Sequence, residues 1–277
     1  MTPLISANQL EEIINSGENV LLCDCRFDLV DPLIGRKSYE ESHIPGAIYV
    51  DLDKDLSGAK TGANGRHPLP SPEAWAKTKA RLGISPNTLV VAYDKQGSVY
   101  ASRLWWMLKA TGHANVKVLD GGLDAWNGPI GTLPRQPLAT STPVPAMPYV
   151  GLVLVDDVLA NLHSKQCVVV DARANDRFHG QNETLDPVAG HIPGAVNRFF
   201  KDNLKSDGTF KDSDVLRHEF KSLIGEISSD KIVHQCGSGI TACHNMFAME
   251  LAGLMNSSIY AGSWSEWSAD PSRPVEQ

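Results

Sequence analysis

One cysteine, set in a glycine-rich segment, is the residue of this chain best placed to do chemistry. The segment reads Cys236-Gly237-Ser238-Gly239-Ile240-Thr241-Ala242. Its two glycines let the backbone turn sharply, so that several N–H groups converge on a small volume, as in anion-binding nests and helix N-termini. A thiolate is stabilised by such donors, and the sequence therefore predicts a nucleophilic cysteine near neutral pH. A cysteine that is buried only as a small apolar side chain is the alternative.

The neighbouring elements must place this cysteine between a strand and a helix. An apolar run precedes it at 231–235, and a second apolar stretch follows at 246–251. At the start of the chain, Ser6 and Gln9 form a capping-box pattern before a first helix, and residues 20–24 are typical of a buried strand. The alternation continues with a helix at 73–82, a strand at 88–93, a helix at 101–110 and a strand at 116–119. This pattern predicts an α/β fold with a parallel sheet covered on both faces.

The second half of the chain repeats the first. Three segments have counterparts about 145 residues later: 22–26 at 170–173, 43–47 at 191–195, and 120–126 at 261–267. Between the copies, residues 128–148 contain six prolines, which favours a stiff, extended connector over a helix. We therefore predict a first domain at 1–127, a linker at 128–150 and a second domain at 151–277.

The duplication also separates structural features from candidates for chemistry. The strand of the first half that corresponds to the one before Cys236 ends at Asp94, so that half has no thiol in this position. Both halves contain a His-Ile-Pro-Gly-Ala turn, and we interpret His43 and His191 as histidines that are hydrogen-bonded for structural reasons.

Composition excludes several classes of partner. A net charge of -7 and a pI near 5.7 argue against nucleic acid or an anionic membrane as the main partner. The N-terminus does not show a basic region followed by an apolar core, and the sequence contains no apolar run of 18 residues. Both observations favour a cytoplasmic protein. The five cysteines show neither a zinc-site nor a disulfide pattern, so we expect reduced thiols and predict neither a metal nor an organic cofactor.

Taken together, these motifs resemble the tandem-domain rhodanese-like sulfurtransferases, and within them the mercaptopyruvate sulfurtransferases. The active loop of that family reads Cys-Gly-Ser-Gly-Val-Thr-Ala, from which this chain differs only at Ile240. The resemblance extends over nearly the whole chain, including both His-Ile-Pro-Gly turns, Asp94, the proline-rich connector and residues 262–267. It implies two tandem rhodanese-like domains, each a parallel sheet flanked by helices, with the first domain inactive and a persulfide carried on Cys236.

The resemblance also assigns residues that bind the donor. The loop residues Gly237, Gly239, Ile240 and Thr241 would cradle its anionic end. The first carboxylate-binding arginine of the family matches Arg177, whose planar guanidinium can bind a carboxylate at two points; an ordinary surface or inter-domain ion pair is the alternative. The second has no match, because segment 181–187 is shorter and contains no basic residue. Arg198 is a candidate substitute, with a surface or interface charge as the alternative.

For proton transfer, the resemblance points to a relay of Ser238, His67 and Asp53. His67 lies in a loop segment, where a histidine can face a cleft, and an aspartate can fix its tautomer. A solvated acidic turn at 51–55 is the alternative explanation for Asp53. Cys243 is either a resolving thiol or a small buried helix residue, and Cys23, Cys25 and Cys167 are interpreted as packing residues.

Three other functions fit less well. A Cys-x5-Arg phosphatase needs an arginine where this chain has Ala242, and a serine hydrolase at Ser238 lacks the Gly-x-Ser-x-Gly elbow. A third interpretation, a non-catalytic sulfur-carrier or regulatory module built on a catalytically idle rhodanese domain, is disfavoured by the retention of Cys236. We therefore predict sulfur transfer from a small anionic donor, 3-mercaptopyruvate, with release of pyruvate, to a thiol, thioredoxin or cyanide; thiosulfate is the alternative donor.

Overall fold

The structure, a computed structural model, describes residues 2–140 and 142–277 and contains two compact units. The first unit comprises the described residues within Met1–Gly58, Pro70–Val150 and Ser206–Thr209, and the second comprises Ala59–Leu69, Gly151–Lys205 and Phe210–Gln277. The short segment Ala59–Leu69 therefore packs with the second unit although it belongs to the first half of the chain. The domain bounds given above remain a prediction.

The first unit is built around a five-stranded parallel sheet. Its strands are β1 Leu4–Ile5, β2 Val20–Asp24, β3 Ile48–Tyr49, β4 Leu89–Tyr93 and β5 Val116–Leu119, in the order β1-β5-β4-β2-β3. Its helices are α1 Ala7–Ser16, α2 Leu33–Glu41, α3 Pro72–Leu82 and α4 Val99–Ala110. Residues Val20 to Asp24 pair in register with Leu89 to Tyr93.

The second unit repeats this topology. Its strands are β6 Leu152–Val153, β7 Val168–Asp171, β8 Val196–Asn197, β9 Ile232–Gln235 and β10 Ser258–Tyr260, in the order β6-β10-β9-β7-β8. Its helices are α5 Val155–Ser164, α6 Asn175–Phe178, α7 Ser213–Ile224, α8 Thr241–Leu251 and α9 Ser263–Trp267. The predicted fold, two parallel sheets flanked by helices, is confirmed.

The strands are apolar because helices cover both faces of each sheet. Within the central strand β4, Val90, Val91 and Ala92 are fully buried, as expected for parallel strands. In the second unit, Val169, Val233 and two tryptophans, Trp264 and Trp267, contribute to one apolar cluster. The predicted capping box of α1 is also present, since Ser6 Oγ accepts from the Gln9 N–H and the Gln9 side chain accepts from the Ser6 N–H.

The two His-Ile-Pro-Gly turns are structural, as the repeat predicted. His43 Nδ1 lies 2.6 Å from the Tyr39 carbonyl oxygen, and His191 Nδ1 lies 2.8 Å from the Phe178 carbonyl oxygen. Each imidazole also stacks on an aromatic ring, Tyr39 or Phe178. Both histidines are buried, so these bonds fix the turn against the preceding helix.

The described part of the proline-rich segment contains no helix and is bound along the first unit. Backbone hydrogen bonds join Gly131 to His43, and the Thr140 N–H donates to the Ala80 carbonyl oxygen. Arg135 Nη1 donates to the Gly46 carbonyl oxygen. In the described residues, no helix is both long enough and apolar enough to cross a membrane.

Candidate active site

Cys236 lies at the carboxyl end of β9, the central strand of the second sheet, and directly before α8. Its side chain is buried, and its Sγ accepts a hydrogen bond from the Gly239 N–H at 3.1 Å. The backbone N–H of Cys236 donates to Ser263 Oγ at 3.1 Å. Of the several backbone N–H groups predicted to converge on the sulfur, that of Gly239 is in hydrogen-bond contact with it, a contact that an inert packing cysteine would not require.

Gly239 has to be glycine at this turn. Its φ is +80°, and a Cβ atom would lie 2.2 Å from the Ala261 carbonyl oxygen. Both the left-handed backbone and the lack of space exclude a side chain. Ile240 and Thr241 follow at the junction with α8, where Ile240 is the N-cap and Thr241 the first helical residue.

The start of α9 fixes the loop and the segment Ala59–Leu69 to each other. The Trp264 N–H donates to the Cys236 carbonyl oxygen, and the Ser265 N–H donates to the Gly237 carbonyl oxygen, both at 2.9 Å. Ser265 Oγ in turn accepts from the Arg66 N–H at 3.0 Å. A Cβ atom on Gly65 (φ +85°) would lie 2.8 Å from a backbone oxygen of the α9 N-cap, so the segment can approach this closely only with glycine there.

His67 contacts the active loop within the second unit. Its Nδ1 lies 2.8 Å from Ser238 Oγ, and both side chains are buried. Two of the three residues of the predicted relay are thus in hydrogen-bond contact, a distance that allows proton transfer between a hydroxyl and an imidazole.

Asp53 belongs to the first unit, and its place in the relay remains a prediction. Its N–H donates to Asp51 Oδ1 at 3.0 Å. The alternative, a solvated acidic turn, is wrong for its neighbours Asp51 and Asp55, because both are buried. Asp55 Oδ2 accepts from the Asp51 N–H, and the Asp55 carboxyl group forms an ion pair with Arg81. Burial raises the pKa of Asp55, and Arg81 opposes that shift.

Arg177 lies close to the loop and is held by an acidic partner. Its guanidinium binds Glu183 through Nε and Nη2 at 2.8 to 3.1 Å, and Asp186 Oδ2 is 3.5 Å away. Burial acts to raise the pKa of Glu183, but backbone N–H groups and Arg177 outweigh it, so the pKa lies below its usual value. Glu183 is therefore an anion that orients Arg177.

Arg66 is a basic residue beside the loop that sequence reasoning missed. Its Nη1 forms an ion pair with Asp186. A Cβ atom on Gly237 would lie 2.7 Å from Arg66 Nη2 and 3.8 Å from Arg177 Nη2, so two guanidinium groups stand next to residue 237. The only sequence signal was the position of Arg66, directly before His67.

Arg198 has partners elsewhere in the second unit. It donates to Glu219 at 2.6 Å and to Asn203 at 3.0 Å, and its guanidinium stacks over the Phe220 ring. Its predicted role as the second carboxylate-binding arginine remains untested, but these contacts are those of a cation bound between structural elements.

The remaining cysteines are free thiols in packing positions. Cys243 is buried in the first turn of α8, and its Sγ donates to the Gly239 carbonyl oxygen at 3.3 Å. Cys23 and Cys25 are buried in the first unit, and burial raises the pKa of both thiols. Burial therefore suppresses thiolate formation at Cys23 and Cys25.

In the first unit, the position that corresponds to Cys236 is filled by a carboxylate. Asp94 follows the central strand β4 and is fully buried. Its two oxygens accept four backbone N–H groups at 2.8 to 3.0 Å, two from the loop (Gln96 and Ser98) and two from the first turn of α4 (Tyr100 and Ala101). Burial raises the pKa of Asp94, and these donors oppose the shift. The backbone donors at this position are therefore occupied by a carboxyl group that the chain itself supplies.

Comparison with known proteins gives a consistent result. A model of the rhodanese-like domain matches residues 6–129 and 154–270. The chain is 42% identical to a Pseudomonas aeruginosa protein named "Probable 3-mercaptopyruvate sulfurtransferase", over 98% of this chain and 97% of that protein. It is 35% identical to the mouse protein named "Thiosulfate sulfurtransferase", over 99% of this chain and 95% of that protein.

A solved structure has the same architecture. The crystal structure of SseA from Escherichia coli, described among the 3-mercaptopyruvate sulfotransferases, superposes with a TM-score of 0.80 at 29% identity, covering 95% of this chain and 99% of that one. With two matched rhodanese-like domains and curated relatives along its whole length, the chain belongs to the tandem-domain rhodanese-like sulfurtransferases.

Proposed function

We propose that this protein transfers sulfur from 3-mercaptopyruvate to a thiol, thioredoxin or cyanide, through a persulfide on Cys236. The observation that carries the proposal is the Gly239 N–H directed at Cys236 Sγ, beside a serine bonded to histidine. The backbone donor can bind negative charge on the sulfur as it attacks and leaves, and the Ser238-His67 pair provides a proton where the donor's leaving group forms.

In the first half-reaction, the Cys236 thiolate attacks the sulfur of the donor. A sulfur–sulfur bond forms, the carbon–sulfur bond breaks, and its electron pair remains on carbon as the enolate of pyruvate. The enolate then takes a proton, which we assign to Ser238 with His67 behind it; Asp53 is the third residue that the family resemblance assigns to this relay. Arg177 holds the donor carboxylate, since its guanidinium lies beside Gly237.

In the second half-reaction, the acceptor attacks the outer sulfur of the persulfide, and the Cys236 thiolate leaves. The backbone donor at Gly239 stabilises that leaving thiolate as it did the attacking one. The same loop therefore serves both half-reactions.

Thiosulfate is the alternative donor, and one observation favours it. Arg66 and Arg177 place two cations next to the loop, and a compact dianion gains from two positive charges more than a monoanion does. The loop itself, however, carries no cation, and Ser238 offers a proton that a sulfite leaving group does not need. We therefore place mercaptopyruvate first.

We further infer that the first rhodanese-like domain, predicted at 1–127, is catalytically inactive, because Asp94 stands where the second domain has a thiol and occupies the backbone donors of its loop and of the first turn of α4. The alternative of a non-catalytic sulfur carrier is disfavoured by the Ser238-His67 bond, which simple storage of sulfur does not need. A cytoplasmic location remains a prediction from the sequence.

The test is steady-state kinetics with each donor and with cyanide as acceptor. The proposal expects pyruvate and thiocyanate in equal amounts from mercaptopyruvate, ping-pong kinetics, and a higher kcat/KM than for thiosulfate. A higher kcat/KM for thiosulfate would establish the alternative donor. No thiocyanate from either donor would establish the non-catalytic class.

A further inference from the structure

Arg66 is held so that one end of its guanidinium is anchored and the other faces the active loop. Nη1 pairs with Asp186, whereas Nη2 is the atom closest to where a side chain of Gly237 would begin, 2.7 Å away. The backbone N–H of Arg66 is fixed as well, by Ser265 Oγ at 3.0 Å. The side chain is 30% exposed, so it borders solvent from which a donor enters.

Asp186 lies in the same segment in which the family's second carboxylate-binding arginine is missing. This segment, 181–187, supplies two acids instead, Glu183 and Asp186, whose side chains are 2% and 3% exposed. Glu183 binds Arg177, and Asp186 lies between Arg66 and Arg177. A buried carboxylate is stable as an anion only beside a cationic partner. Asp186 pairs with Arg66 of the segment Ala59–Leu69, and this ion pair places the Arg66 guanidinium beside the active loop.

Accepting the proposed function, we propose that Arg66 is the second cation that binds the donor's carboxylate, in place of the missing arginine. The geometry supports this assignment over Arg198, which is bonded to Glu219 and Asn203. Arg66 Nη2 and Arg177 Nη2 both flank residue 237, at 2.7 and 3.8 Å from its Cβ position. A carboxylate next to Cys236 would thus meet two guanidinium groups, and Asp186 acts as the residue that positions Arg66.

The test uses two alkylating reagents that differ in charge. Iodoacetate carries a carboxylate and iodoacetamide does not, while both react with a thiolate. In Arg66→Gln, the ratio of the iodoacetate to the iodoacetamide rate at Cys236 should fall by roughly 10-fold, the lower end for a charge-assisted hydrogen bond. The KM for mercaptopyruvate should rise by about the same factor with a much smaller change in kcat, because uniform binding is lost.

Three further variants define the outcome. Lys37→Gln removes the same charge from the exposed face of α2 and should leave the ratio unchanged. Arg66→Gln combined with Asp186→Asn should lower the iodoacetate to iodoacetamide ratio as Arg66→Gln does, but without leaving a buried carboxylate unpaired. Arg66→Lys should keep the ratio only partly, since lysine lacks the two parallel N–H donors of a guanidinium group. An unchanged iodoacetamide rate shows that the loop is intact.

Failure of the Arg66 assignment and failure of the proposed function give different results. If Cys236 is alkylated and gains sulfur normally, but Arg66→Gln changes neither the reagent ratio nor KM, the assignment of Arg66 is wrong and the proposed function stands. If Cys236 in the unmodified protein gains no sulfur from either donor, the proposed function fails and the role of Arg66 fails with it.

Discussion

The hydrogen bond between His67 and Ser238 allows a prediction that separates the two donors. Pyruvate leaves mercaptopyruvate as an enolate that must be protonated, whereas sulfite leaves thiosulfate as a stable anion. Because kcat/KM for each donor in a ping-pong reaction reports its own half-reaction, the two donors test proton transfer in one protein. Ser238→Ala and His67→Gln should therefore impair mercaptopyruvate much more than thiosulfate.

The size of the effect follows from the geometry. Oγ and Nδ1 are 2.8 Å apart in buried side chains, and loss of a positioned general acid typically lowers the rate by about 10²- to 10⁴-fold. Removal of one partner of this buried hydrogen bond should lower the free energy of unfolding by only about 1 to 3 kcal/mol. Both variants should therefore fold and keep Cys236 reactive.

The assay measures kcat/KM for each donor with cyanide in excess. Ser222→Ala is the matched control, since its hydroxyl donates to the His218 carbonyl oxygen on an exposed face of α7. Equal losses for both donors in Ser238→Ala would show that the bond only shapes the loop. No loss for either donor in both variants would remove the relay.

Three further predictions concern neighbouring positions. Gly239→Ala places a Cβ against a backbone oxygen at φ +80°, so the loop must shift and the Gly239 N–H should lose its hydrogen bond to the Cys236 sulfur. Alkylation of Cys236 by iodoacetamide should then slow by about 10-fold, the effect of losing a hydrogen bond to a charged group. An unchanged rate would show that the N–H of residue 239 does not activate the thiol. The pair Gly237→Arg with Ser238→Lys should shift kcat/KM toward thiosulfate, and a shift the other way contradicts the argument from loop charge. Burial lowers the pKa of His234 from 6.5 to about 3, so between these pH values only the unfolded chain binds a proton at this residue, and the free energy of unfolding should fall by up to about 1.4 kcal/mol for each pH unit of acidification. Urea denaturation between pH 6.5 and 3 should therefore show a free energy of unfolding that depends less on pH in His234→Gln than in the unmodified protein. An equal pH dependence in both proteins would refute this.

Elements with continuous apolar runs could be predicted from the sequence to within two residues. The strand expected at 88–93 is Leu89–Tyr93, and the helix expected at 101–110 is Val99–Ala110. Both are buried on nearly all sides, so composition alone marks them. Helix α7 has a weaker signal, because only Leu216, Phe220 and Ile224 of its residues are buried and the others are half-buried or exposed.

In the candidate site, features formed by neighbouring residues could be predicted, whereas contacts between residues far apart in the chain were harder to predict. The cysteine loop is local, because strand, glycines and helix follow one another in the chain, and it could be predicted in detail. The contact of Arg66 with Asp186 spans 120 residues, and that of His67 with Ser238 spans 171. The family resemblance supplied the second contact; nothing in the residues around Arg66 indicated the first, because it depends on an acid in a segment that lacks the usual arginine.

The central claim is that Cys236 carries the transferred sulfur, and intact-protein mass spectrometry tests it most directly. Incubation of the protein with mercaptopyruvate, without an acceptor, should add the mass of one sulfur atom, and peptide mapping should place it on Cys236. Cyanide should then remove it, and Cys236→Ser should gain no sulfur, while Cys243→Ser should gain it normally. A sulfur adduct that persists in Cys236→Ser, or that maps to Cys243, would contradict the account.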